Sequence, residues 1–248
     1  MSYKHQPITH TTRPIVTGTS VIAIRTKSFV MMAADTLGSY GSLARFHDIK
    51  RIINIGGNTI LGAGGEISDF QKVTQYLQGL EEENFCYDDD VSLTAPEIHS
   101  YLTRICYNRR SKIDPFYNQF AVGGVIEDGI GNKKEKRTYL GYTDLFGTTF
   151  TDNYVATGFG AHFAYPLLRK GYEDLNGSDM TIDQARKLLA DTMRVLFYRD
   201  CKTINKIIFA VIDVNNGVSI SEPISVKTDW NLEEINPVKS VNLDKSKM

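Results

Sequence analysis

Phe29-Val30-Met31-Met32-Ala33-Ala34-Asp35 is apolar at six consecutive positions and then ends on a carboxylate. Side chains of a strand alternate between its two faces, so a strand apolar at every position has no face to give to water. The stretch therefore predicts a strand sandwiched inside the protein, with Asp35 delivered to the rim of a buried sheet. Upstream, residues from 15 onward are rich in β-branched types and break only at Thr26-Lys27-Ser28, so 15–35 predicts two strands and a turn. Downstream, strands are expected over 51–55 and 59–63 around the turn Gly56-Gly57-Asn58, with Gly64-Gly65 closing the β pattern.

Helical spacing begins next. Ile67, Phe70, Val73, Tyr76, Leu77 and Leu80 recur three or four apart and predict a helix over 67–80, with Ser68 and Asp69 in its first turn. The acidic stretch 81–90 reads as a loop, and Thr94-Ala95-Pro96-Glu97 reads as the capped start of a second helix running to about Ser111. Strands are expected again over 120–126, 138–142 and 147–149, the first two joined by a polar loop. Helices over 162–175 and 182–198, a strand over 206–214, the turn Asn215-Asn216-Gly217 and a last strand over 218–221 complete the pattern. Strands in consecutive runs, separated by helical pairs, indicate an α+β class with antiparallel sheets. Two such sheets packed face to face need their outer faces covered, which gives a four-layer αββα sandwich.

At 248 residues, 42% hydrophobic, 23% charged and a net charge of -1, the composition is that of an ordinary globular chain and gives no electrostatic reason to expect nucleic acid. No apolar run approaches the roughly 18 residues of a membrane span, and the polar start lacks the apolar core of a secretory signal, so a cytosolic or nuclear protein is expected. Cys86, Cys106 and Cys201 lie far apart without metal-ligand spacing, and His5, His10, His47, His99 and His162 are equally dispersed. No metal, disulfide framework or cofactor is expected. Gly64-Gly65 fits neither nucleotide fingerprint and reads as a tight turn.

Gly18-Thr19-Ser20-Val21-Ile22-Ala23-Ile24, with Met32-Ala33-Ala34-Asp35 after it, resembles the start of 20S proteasome β subunits, a branch of the N-terminal nucleophile hydrolases. The runs TRPIVTGTS, SYGSLARF, RRSKIDPFYN, ATGFGAHFAYPLLRK and MRVLFYRD are similar to the β7 type in yeast naming, β4 in human naming. The resemblance implies the αββα fold already suspected. In active members a threonine after glycine is freed by autolysis and becomes the nucleophile, with its own terminal amine as base. By residue matching, that position is Thr19, the accompanying aspartates are Asp35 and Asp200, Arg51 stands where a lysine is usual, and Thr203 stands where a serine is usual.

Arg51 is a poor substitute, because a guanidinium holds its donors in a broad planar fork and does not deprotonate. Phe159 and Ala161 bring no hydroxyl to the loop where active members carry serine. Processing is expected upstream, with Thr11 as the mature terminus, leaving Thr19 without a free amine. The resemblance thus implies a non-catalytic structural β subunit, not an enzyme, that completes the ring and closes the chamber where neighbours degrade ubiquitin-tagged proteins. The alternative is an active threonine endopeptidase using Thr19. Residues 1–18 are expected to be an extension that is partly propeptide, 19–228 the domain, and 229–248 a tail ordered on assembly, with Trp230 and Ile235 as anchors. Partners implied are the other β subunits of the same and opposite ring and the α-ring subunits, in a hetero-oligomer of 28, with no nucleic acid or membrane. The cluster Arg104, Arg109, Arg110 and Lys112 suits a helix C-terminus and a subunit contact.

Overall fold

The structure is a computed structural model, and it describes residues 13–87, 92–128 and 135–230. In chain order the elements are β1 (Val16–Gly18), β2 (Val21–Arg25), β3 (Phe29–Asp35), β4 (Gly38–Tyr40), β5 (Leu43–Phe46), β6 (Ile52–Ile55), β7 (Thr59–Glu66), α1 (Ile67–Cys86) and α2 (Ala95–Ser111). There follow β8 (Asn118–Asp128), β9 (Glu135–Thr143), β10 (Thr149–Thr151), β11 (Tyr154–Ala156), α3 (Gly160–Asp174), α4 (Ile182–Arg199), β12 (Ile207–Asp213) and β13 (Gly217–Ile220).

Among the described residues all strand pairings are antiparallel and fall into two sheets. One has eight strands in the order β10-β9-β8-β7-β1-β4-β5, with β6 also on β7, and the other has five in the order β11-β2-β3-β12-β13. β3 is buried at every position, and its alternation decides the layering. Phe29, Met31 and Ala33 pack with Leu168, Leu189, Met193 and Leu196 of α3 and α4, while Val30, Met32 and Ala34 face Ile60, Ala121 and Leu140 of the larger sheet. On that sheet's other side Leu61, Phe120 and Val122 pack against Phe70, Val73, Leu77, Leu102 and Cys106 of α1 and α2. The result is the αββα sandwich. The sheets approach closely because Gly123 has no side chain: a Cβ there would lie 2.7 Å from Val30 and 2.8 Å from Met32.

Local chemistry sets the helix boundaries. The Thr94 backbone N–H donates to the Glu97 carboxylate at 2.8 Å, and Thr181 and Gln184 make the matching exchange at the start of α4. α1 runs through Glu81, Glu82 and Glu83 to Cys86, beyond the end predicted from its apolar spacing, because glutamate is a good helix former and needs no buried face. The span 15–25 is not one strand: it breaks at Thr19-Ser20, so that β1 enters the larger sheet and β2 the smaller. The domain therefore includes residues upstream of the boundary expected at Thr19. β4, β5 and β11 were not predicted, being only three or four residues long, and β10 lies two residues later than expected. Thr11, Ile235 and nearly all of 229–248 lie outside the described residues.

His99 ties α2 to the larger sheet. Its Nδ1 meets the Tyr139 hydroxyl at 2.6 Å, and its Nε2 lies 2.9 Å from the Tyr142 carbonyl and 2.8 Å from the Thr149 hydroxyl. Burial lowers its pKa, partly opposed by the Tyr142 carbonyl. The unfolded chain takes up this proton near pH 6.5 while the folded chain resists it, so stability falls as pH drops below about 6.5 and levels off below the folded pKa. The melting temperature should drop between pH 7.5 and 6, by at most about 3 °C. His99→Gln, which cannot titrate, should melt lower at pH 7.5 but lose this part of the slope; an unchanged slope would assign it to other groups.

Candidate active site

Several chain crossings converge at one end of the sandwich. The chain leaves the larger sheet at Thr19-Ser20 and returns to it at Thr36-Leu37. The pairings Val21 with Ala34, Ile207 with Asp35 and Gly18 with Gly65 bring the start of β2, the end of β3, the start of β12 and the end of β7 to that same end. Arg51 immediately precedes β6, and Asp200 caps the end of α4. All five residues singled out in the sequence, Thr19, Asp35, Arg51, Asp200 and Thr203, meet here.

Arg51 is 1% exposed and heads the large side chains that are fully buried. It forms an ion pair with Asp35, and its Nε donates to the Asp35 carbonyl at 3.1 Å. Its Nη1 donates to the Thr19 carbonyl at 3.0 Å and its Nη2 to the Ser20 carbonyl at 3.2 Å. The second oxygen of Asp35 accepts the Ile204 N–H at 3.1 Å. Burial pulls the guanidinium's pKa down, opposed by the charge of Asp200, and it remains a cation at neutral pH. Gly18 is obligatory beside it, since a Cβ there would lie 2.3 Å from Arg51 Cδ.

Thr19 is half-buried, and its hydroxyl donates to the Asp200 carboxylate. The same oxygen accepts the Thr203 hydroxyl at 3.1 Å, and the other accepts the Lys202 N–H at 2.9 Å. None of the Arg51 bonds reaches the Thr19 hydroxyl; they go to carbonyls and to Asp35. The nitrogen of Thr19 is an amide bonded to Gly18, and β1 behind it is paired on both sides, Thr17 with Glu66 of β7 and with Ser39 of β4. The buried Glu66 carboxylate accepts the N–H groups of Ile15 and Val16, which fixes the segment leading into β1. An open recess of about 280 Å³ lies beside Thr19, lined among others by Thr17, Tyr117, Gln119, Phe159 and Lys202.

Sequence reasoning missed the polar groups that hold the crossing in place. Ser20 Oγ accepts the Gly160 N–H at 2.8 Å, and Thr157 Oγ1 accepts the Val21 N–H at 2.8 Å. Gln119 accepts the Gly158 N–H at 2.6 Å, and Asn118 donates to the carbonyls of Gly64 and Glu66 at 3.0 and 2.8 Å. These partners lie 39 to 140 positions apart in sequence, and no local spacing marks them. Phe159, expected to supply no hydroxyl, is half exposed and stacks on Phe163.

Residues 15–212 match the family model described as proteasome subunit. The chain belongs to the proteasome subunit family. This proteasome subunit is 43% identical over 228 residues to the probable proteasome subunit beta type-7 of Schizosaccharomyces pombe, covering 92% of this chain and 84% of that one. It is 46% identical over 217 residues to the proteasome subunit beta type-4 of Arabidopsis thaliana, covering 88% and 83%. Against the proteasome subunit beta type-7 of Saccharomyces cerevisiae the identity is 40% over 229 residues, covering 89% and 82%. As a proteasome subunit the protein assembles with other proteasome subunits.

The buried pair yields a direct expectation for this proteasome subunit. Asp35→Asn removes the negative partner and leaves Arg51 charged in the interior, so it should cost about 3–5 kcal/mol of folding stability. Urea unfolding of the purified chain measures this, and a loss below about 1 kcal/mol, the scale of exposed pairs, would mean that the pair is not the tie described.

Proposed function

We propose that the protein is a non-catalytic β subunit of the type named β7 in yeast and β4 in humans, whose contribution to proteolysis is structural. The observation that carries this reading is the state of Thr19. The residues directly before it, Val16–Gly18, form a strand held by hydrogen bonds from both neighbours, so releasing the Thr19 nitrogen would take that strand out of the sheet. The terminal-amine mechanism requires that nitrogen to be a free base next to the hydroxyl. The cation that stands in the lysine's place is committed to four acceptors, among them the Thr19 carbonyl, and donates no hydrogen bond to the Thr19 hydroxyl.

In this role the subunit completes a β ring within a particle of 28 subunits, contacts β subunits of its own and the opposite ring as well as α-ring subunits, and helps enclose the chamber where neighbours cleave ubiquitin-tagged substrates. Processing at Thr11 leaves β1 in the sheet. The particle's place is the cytoplasm and nucleus. A second reading, an active threonine endopeptidase, draws on Gly18-Thr19 and on the Asp200 carboxylate that already holds the Thr19 hydroxyl.

One experiment separates the two. Intact mass of this chain in the purified particle should correspond to a terminus upstream of Val16, and an epoxyketone probe, which needs a threonine hydroxyl together with its free amine, should leave the chain unlabelled. A chain that begins at Thr19 and takes up the probe would establish the endopeptidase instead.

A further inference from the structure

Two Asn-Gly dipeptides occur in the chain, Asn176-Gly177 and Asn216-Gly217, and the fold holds them differently. An asparagine before glycine is well suited to attack on its own side chain by the next backbone nitrogen. Glycine has no Cβ to block that approach, and its backbone turns freely. In a folded protein the attack further requires that the side-chain amide and the backbone between the two residues can rotate, which takes local opening. At the first pair both are held. Asn176 is exposed, but its Nδ2 donates to the Asp179 carboxylate at 3.2 Å and its carbonyl accepts the Asp179 N–H at 2.9 Å. Gly177 is buried against Tyr172, so closely that a Cβ on it would lie 2.3 Å from the ring. The turn is also tied to the segment between β2 and β3, where Lys27 pairs with Asp179 at 2.9 Å and its N–H donates to the Ser178 carbonyl at 3.0 Å.

The second pair lacks these restraints. Asn216 and Gly217 are both exposed, at the tip of the β12–β13 hairpin, and β13 is the outermost strand of the smaller sheet. Asp213 and Gly217 form the last rung before the turn, so the backbone there opens without disturbing the core. The Asn216 N–H donates to the Asp213 carboxylate at 3.3 Å, but among the described residues its side-chain amide has no hydrogen-bond partner. A Cβ on Gly217 would meet nothing within 4 Å, so no neighbour restricts the turn from that side.

We propose that Asn216 is a site of spontaneous deamidation, and that Asn176, in the same dipeptide, is protected from it by the fold. The Gly217 nitrogen gives its proton to hydroxide and bonds to Asn216 Cγ. The bond from Cγ to Nδ2 breaks, the amide nitrogen takes a proton from water and leaves as ammonia, and a succinimide ring remains. Water then opens either carbonyl–nitrogen bond of that ring, giving aspartate or isoaspartate. Both products place a new carboxylate near that of Asp213, which already accepts the Asn215 and Asn216 N–H groups, and like charges so placed repel. Isoaspartate also lengthens the backbone at the entry to β13, which displaces the rungs that follow. The modification therefore loosens the edge of the smaller sheet.

The test holds the purified full chain in mildly alkaline buffer, folded and, in parallel, unfolded in urea. Mass spectrometry follows the peptide around each asparagine, and methyl transfer by an isoaspartyl methyltransferase marks isoaspartate. In the folded chain, conversion at Asn216 should exceed that at Asn176 by about tenfold or more, because the second site must first open a packed turn. In urea the two rates should come within about threefold of each other, since neither site is then held. Conversion at Asn216 should also accelerate with pH, because the attacking nitrogen must be deprotonated. Asn216→Gln, whose longer side chain closes a ring far more slowly, should remove the methyl label from the hairpin peptide. Equal rates at the two sites in the folded chain would overturn the proposal, as would faster conversion at Asn176. So would an Asn216 that stays intact while the unfolded chain converts, or a label that persists in the Gln variant and so belongs to Asn215.

Discussion

The ion pair of Arg51 with Asp35 is the interaction on which this end of the molecule depends. Two charges buried between sheets cost several kcal/mol in lost hydration, and their mutual attraction offsets this only when the remaining donors and acceptors are also satisfied. Here they are satisfied by the crossings themselves: the carbonyls of Thr19 and Ser20 on one side, the Asp35 carbonyl and the Ile204 N–H on the other. A guanidinium presents its donors in one plane at fixed angles, so satisfying it fixes where those backbone groups lie. Arg51 therefore acts as a template for the joint between the sheets, and the side chain of Gly18 is sacrificed to make room for it.

The same geometry explains why a threonine beside two aspartates does not by itself make a hydrolase. Asp35 is consumed by Arg51. Asp200 accepts from Thr19, Thr203 and the Lys202 backbone, so it serves as an anchor for hydroxyls and for the chain after α4. Each of these contacts is a sound structural hydrogen bond, and the Asp200 oxygen that accepts the Thr19 hydroxyl is shared with the Thr203 hydroxyl.

The layering was legible in the sequence because it depends on local periodicity. Six apolar positions in β3 have a burial that only a double-sided core explains, the three- and four-residue spacing of α1 names its inner face, and the capped start at Thr94 marks α2. The set Thr19, Asp35, Arg51, Asp200 and Thr203 was legible through the resemblance to a family, since its members are up to 184 residues apart and nothing in their spacing unites them. What escaped was of two kinds. The hairpin of β4 and β5 and the edge strand β11 are too short to show an alternation, and β5 is exposed at all four positions, so burial leaves no trace in its composition. Ser20, Thr157 and Glu66 escaped because their partners are backbone N–H groups, which every residue has and no sequence pattern advertises.

In the larger sheet β4 is not bonded to β7; β1 lies between them and joins the two. The hairpin of β4 and β5 is therefore attached to the rest of the sheet through Thr17 and its neighbours, which precede Thr19 in the chain. Severing the chain before Thr19 and losing those residues would open a seam in the sheet. The strand before Thr19 thus sets a structural cost on the terminal-amine mechanism in this fold. A lysine at position 51 would leave the Thr19 nitrogen in a peptide bond, and a cleavage before Thr19 would remove the strand that joins β4 to β7.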